Sequence, residues 1–170
     1  MEIYRGKRLV VERSIFTLPN GHEREAVVVR PAGAVVILPI DGEFCYLIRQ
    51  WRFAINQYII EAPAGTMETG EDPIETARRE LIEETGLAAG ELIPRGFIYT
   101  TPGFTDERIF IFEARNLSPS HEYAPDDDEI IEPVSIRVSD LMTLIRNGEI
   151  NDAKTIAAIT LCLGLSERSE

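Results

Sequence analysis

The chain has 170 residues, 44% of them hydrophobic and 27% charged, with a formal net charge of −12 at pH 7. That length suits one domain with a sizeable core, and that charge argues against nucleic-acid or membrane-surface partners, whose phosphates it would repel. No apolar run approaches membrane-spanning length, no signal peptide opens the chain, and two histidines offer little basis for a histidine triad or a zinc site. Cys45 and Cys162 sit in apolar stretches without CxxC spacing, so they are expected to be free, buried thiols in a reducing cytoplasm.

Residues 8–18 and 25–30 alternate as strands do and flank Pro19-Asn20-Gly21, a hairpin signal. Such a hairpin has nothing local to pack on, so residues 1–30 are expected to form an arm that builds a homodimer. Residues 33–40 and 44–49 make a second hairpin across Asp41-Gly42, apolar enough for a sheet covered on both faces. Residues 58–60 read as a short strand leading through Glu61-Ala62-Pro63-Ala64-Gly65. Gly65 is expected to turn the backbone tightly and bring the Ala64 carbonyl within reach of a metal. Arg49, Trp51 and Arg52 stand just upstream. An isolated Arg is usually a surface ion pair and a single Trp is usually core, but beside a metal site an Arg is a natural phosphate clamp.

The most informative stretch is residues 65–87, GTMETGEDPIETARRELIEETGL. It spaces Gly65, then Glu71, then Arg79-Glu80-Leu81-x-Glu83-Glu84-x-Gly86-Leu87, a pattern that chance meets at about 10⁻⁸ per window. Asp72-Pro73 predicts a helix start and Gly86 its stop. Ile74, Ala77 and Leu81 form the buried stripe. Glu80 and Glu84, four residues apart, project from one face with Glu83 beside them. An acidic helix face alone is most often a solvated surface. Three carboxylates crowded into little more than one turn repel one another unless a cation sits among them, and oxygen ligands favour Mg²⁺ or Mn²⁺.

Residues 92–99 and 108–114 read as strands joined by TTPGFTDE, whose Pro-Gly marks a turn. Residues 118–128 are polar and lead into Glu129. An acidic loop by itself is a solvated segment; next to a metal site it is where a base can come from. Residues 132–138 predict a strand, Ser139 a cap for a helix over 140–147, and residues 152–163 a last helix with Ile156, Ile159, Thr160 and Leu163 on one side. Strands with helices on either side make an α/β/α sandwich of mixed sheets.

The 65–87 pattern resembles the signature box of the Nudix hydrolases, without a departure, and the α/β/α sandwich is also that family's fold. Pro102 with its context TPGFTDER, the run GEINDAKTIAA over residues 148–158, and the opening hairpin with HEREAVVV resemble the ADP-ribose pyrophosphatase branch. The resemblance implies that Ala64 (by its carbonyl), Glu80 and Glu84 hold Mg²⁺, with Mn²⁺ as the alternative. Glu83 would support that cluster and Arg79 would orient the carboxylates, while Glu71 has a less defined metal role. Arg52 would contact a phosphate and Glu61 the terminal ribose or a metal-bound water, with Glu107 in the same zone. Arg24, Glu25 and Phe16 of the exchanged arm would contact the adenine in the partner's site. Glu129 would be the general base, with Asp127 and Glu132 as alternatives. The implied reaction splits ADP-ribose into AMP and ribose 5-phosphate. Rivals are a pyrophosphatase for ADP-glucose or GDP-mannose, and a sensor that binds ADP-ribose without cutting it.

Overall fold

The computed structural model describes residues 1–123 and 130–164. In chain order these form β1 (Glu2–Arg5), β2 (Leu9–Thr17), β3 (Glu23–Pro31), β4 (Ala34–Asp41), β5 (Phe44–Arg52), β6 (Gln57–Glu61), β7 (Ala64–Thr66), α1 (Pro73–Thr85), β8 (Leu87–Tyr99), β9 (Arg108–Pro119), β10 (Ile131–Arg137), α2 (Leu141–Arg146) and α3 (Ala153–Leu163).

The layering follows from alternation along β4. Successive side chains of a strand point to opposite faces, and here both faces are apolar. Val35 and Ile37 join Ala77 and Leu81 of α1 in one core. Val36 and Leu38 join Leu141 of α2 and Ala158 and Ile159 of α3 in the other. Fully burying each such aliphatic side chain stabilises the fold by about 1.5–3 kcal/mol, so β4 is the spine between two helical layers. This is the expected α/β/α sandwich.

The main sheet runs β10-β5-β4-β9-β8, with β4 and β9 parallel and the other neighbours antiparallel. The β4–β5 hairpin pairs only at Ile40–Cys45 and Asp41–Phe44 before its strands part. Beyond that point β6 takes the vacated edge of β5 and β7 that of β4. The Pro63 carbonyl accepts from the Ile37 amide at 2.8 Å and pins the β6–β7 connection into the gap.

Several boundaries differ from the sequence reading. β8 and β9 are longer than expected, because β8 begins directly after the helix stop and pairs Leu87 with Pro119; a register shift between Pro94 and Gly96 absorbs the length. Ser139 does not cap α2. It lies in a 3-10 turn over Val138–Asp140 and its hydroxyl donates to Asp140 instead. The buried face of α3 runs through Thr155, Ala158 and Ile159, while Leu163 is exposed, so the expected stripe is rotated by about one residue.

The N-terminal region is a separate three-stranded sheet, β1-β2-β3, one strand more than the sequence suggested. β2 and β3 pair from Leu9–Pro31 to Thr17–Glu23 around a turn in which Gly21 takes a φ of 81°. It is not without local contacts either. The Val29 amide donates to the Phe104 carbonyl at 2.8 Å, and Arg30 bridges Glu12 and Asp106, so this sheet holds the loop over residues 100–107.

Candidate active site

At the parted end of the β4–β5 hairpin a cleft of about 840 Å³ opens. Ala34, Arg52 and the β7 residues Ala64 and Gly65 line it, facing Glu80, Glu83 and Glu84 of α1.

The local sequence explains the acidic wall. Asp72 caps α1 by accepting from the Ile74 amide, Pro73 fills the first turn, and Gly86 ends the helix in the left-handed region at φ 69°. That frame puts residues 80, 83 and 84 toward β7. The Ala64 amide donates to Glu84 at 2.8 Å, which ties helix to strand. Gly65 is required for a different reason from the one its sequence context suggested. Its φ is not left-handed, but a Cβ there would overlap the Glu80 carboxylate. The glycine leaves room for a ligand group.

Arg79 gathers the rest. It donates to Glu80 and Glu83 at 2.8 Å each, and to both oxygens of Glu71 at 3.4 Å. Burial alone would disfavour its charge, but the bonds to Glu71 and the fields of Glu80 and Glu83 outweigh that and raise its pKa. Glu71 is in turn held below its ordinary value: burial opposes this, but the Glu68 amide and Arg79 prevail. Glu71 thus anchors Arg79. Among the described residues, no three His, Cys, Asp or Glu side chains converge as a ready metal cage, and Arg79 pairs with Glu71, Glu80 and Glu83. The donors on this wall are nevertheless all oxygens. Ala64, Glu80, Glu83 and Glu84 line the same cleft, with the Glu80 carboxylate seated against Gly65, a set that suits a hard divalent ion.

The opposite wall is built the other way round. Glu61, expected to contact the terminal ribose or a metal-bound water, is 0% exposed and stands behind the residues that line the cleft. Its Oε1 accepts from Arg52 Nε at 2.6 Å, and its Oε2 accepts from Arg52 Nη2 at 2.7 Å and from Lys154 Nζ. That fork holds Arg52 charged, the bond to Glu61 outweighing burial. Lys154 also pairs with Asp152 at 3.0 Å. Lys154, Lys7 and Arg8 all line the cleft, and the sequence reading missed all three. The only clue to Lys154 lay within the run GEINDAKTIAA.

Other expected residues fall as follows. Glu107 lines the cleft and accepts from the Thr100 hydroxyl at 2.8 Å. Phe16, Arg24 and Glu25 lie on the β2–β3 hairpin and do not line this chain's cleft; Phe16 is paired in register with Arg24, and Glu25 bridges Arg13. Arg49 is turned away, stacked on Tyr58 at 4.0 Å and bridging Glu132 at 3.1 Å, which occupies both residues on an exposed surface. Glu129 and Asp127 lie outside the described residues. Cys45 and Cys162 are free, and burial pushes both thiols up to about 12, which makes them poor nucleophiles. Among the described residues no helix is long and apolar enough to cross a membrane.

Comparison with known proteins agrees with this geometry. The family described as the NUDIX domain matches residues 28–159. An ADP-ribose pyrophosphatase from Bacillus subtilis (strain 168) is 38% identical over 160 residues, 93% of this chain and 86% of the relative. A methanol dehydrogenase activator from Bacillus methanolicus is 34% identical over the same shares. A crystal structure of an ADP compounds hydrolase superposes with a TM-score of 0.83 at 27% identity, covering 95% of this chain and 88% of the other.

Proposed function

The chain belongs to the NUDIX domain family, and on that premise we propose that it hydrolyses ADP-ribose to AMP and ribose 5-phosphate with Mg²⁺, or Mn²⁺ in its place. It is a Nudix hydrolase, similar to enzymes that act on ADP compounds and ADP-ribose. The observation that carries the substrate reading is the divided cleft: oxygen ligands along α1 on one side, Arg52 and Lys154 on the other. A diphosphate linked to two sugars needs both.

Ala64, Glu80 and Glu84 would hold the ion and Glu83 would complete the cluster. Bound there, a divalent metal supplies charge neutralisation at the diphosphate and a more acidic water. Arg79 orients Glu80 and Glu83 and keeps Glu71 ionised beside them. Arg52 grips a phosphate with donors that Glu61 does not use. Glu129 remains the proposed base, because carboxylates committed to a metal have lowered proton affinity. Glu107 is proposed to contact the distal sugar. Little covalent chemistry falls to the protein, so placement and charge account for most of the rate.

Residues 1–30 are proposed to pair two copies, with Phe16, Arg24 and Glu25 reaching the partner's adenine subsite. The exposed Ile15 and Val27 on that sheet support the pairing. Sedimentation at micromolar concentration should give a dimer; an active monomer would overturn it. The working location would be the cytoplasm, as the free thiols suggest.

The deciding experiment is product analysis on a panel of ADP-ribose, ADP-glucose and GDP-mannose with Mg²⁺. ADP-ribose should show the highest kcat/KM and yield AMP. A preference for GDP-mannose would replace the substrate, and tight binding of ADP-ribose without cleavage would make the protein a sensor.

A further inference from the structure

The cluster around Glu61 leaves cationic donors over at the cleft. Glu61 Oε1 takes Arg52 Nε, and Oε2 takes both Arg52 Nη2 and Lys154 Nζ. Asp152 is committed as the cap of α3, accepting from the Thr155 amide at 2.9 Å and hydroxyl at 2.6 Å. An ammonium has three donors and a guanidinium five. Lys154 spends two nitrogen contacts here and Arg52 two N–H groups, so each keeps a donor on a side chain that lines the cleft.

The position of Lys154 is costly for a purely structural residue. Its side chain is only 15% exposed, and it stands in the first turn of α3, where the helix dipole disfavours a cation. Glu61 does not need it, since Arg52 already satisfies that carboxylate fork on fork. Because Arg52 Nη2 and Lys154 Nζ share one oxygen, the two nitrogens lie no more than about 6 Å apart, within the span of one phosphate group.

We propose that Lys154, set beside Arg52 by Glu61, is a phosphate-binding residue of the cleft, and that Glu61 is a positioning residue that never touches substrate. This rests on the reading of the substrate as a diphosphate. The pair grips the phosphate oxygens that the α1 carboxylates and their metal do not reach. Lys154 thereby sets affinity for the diphosphate rather than the rate of its cleavage.

The test uses the full chain and two readouts: steady-state hydrolysis of ADP-ribose with Mg²⁺, and calorimetric binding of ADP-ribose in EDTA, where no turnover occurs. Lys154→Gln should raise KM and the metal-free Kd about tenfold each, the loss of one charged hydrogen bond, with kcat within a few fold. Lys154→Arg should recover most of that affinity. Glu61→Gln should raise both constants although it removes no group from the cleft. Thermal melts follow folding in each variant. If Lys154→Gln lowers only Tm and leaves KM and Kd unchanged, Lys154 is structural and the proposal falls. If wild type binds ADP-ribose but does not cleave it, the hydrolase reading fails while the Kd comparison still decides this one. If wild type does not bind it at all, both fall.

Discussion

The two walls of the cleft are built on opposite plans. On α1 one cation, Arg79, collects three carboxylates. Across the gap one carboxylate, Glu61, collects two cations. Glu61 is fully buried behind its two cations, which line the cleft, whereas Arg79 lines the cleft itself beside Glu80 and Glu83, and Glu71 does not. On both walls like charges are thus held close together by one opposite charge that contacts each of them. The lesson is that the collector is as necessary as the groups it presents, although it does no chemistry itself.

The comparison can be broken most forcefully on the acidic wall. Glu84→Gln and Glu80→Gln should each lower kcat/KM by about 10³-fold, since a neutral amide is a poor ligand for Mg²⁺ and metal stabilisation is worth several kcal/mol. The fold should survive, which circular dichroism checks. Activity within a few fold of wild type would mean that wall is not a metal site. Gly65→Ala separates geometry from charge. The added methyl displaces only the end of the Glu80 side chain, so stability should change little while kcat falls about 10²-fold, the cost of a misplacement near 1 Å.

Arg52→Gln should raise KM by about 10-fold and leave kcat nearer wild type, as expected for a wall that binds rather than reacts. The smallest effect belongs to Glu71. Its carboxylate is favoured as the anion in the fold, so its contribution is present above the ordinary carboxylate range and is lost as pH falls through its lowered value. Urea midpoints taken from neutral pH into the acid range should fall further for wild type than for Glu71→Gln. Equal losses would remove Glu71 as the anchor of Arg79.

What sequence disclosed follows from range. Helix α1, its cap, its stop and its three carboxylates depend on neighbours within a few turns, so spacing alone exposed them. The bifacial apolar content of β4 likewise announced a covered sheet. The basic wall was hidden because it is assembled across the chain: Lys154 meets Glu61 from 93 residues away. The family resemblance implied a substrate or metal-bound-water contact for Glu61, and nothing in its sequence context signalled that β6 turns it inward. Arg49 and Arg52 are three residues apart on one strand, and only their register distinguishes them. Arg49 pairs outward with Glu132, and Arg52 ends the strand at the cleft.

The parted β4–β5 hairpin has a consequence for turnover. Its two arms are joined at Ile40–Cys45 and kept apart by the β6–β7 insert, so the separation between the walls is set before any ligand arrives. On the proposed function, a molecule with two linked phosphates would engage both walls as a bivalent ligand, the second contact forming at high effective concentration. Once the link is cut, each product would carry a single phosphate and hold one wall only. On that reading cleavage would abolish the avidity that retained the substrate, and product release would follow from the reaction itself.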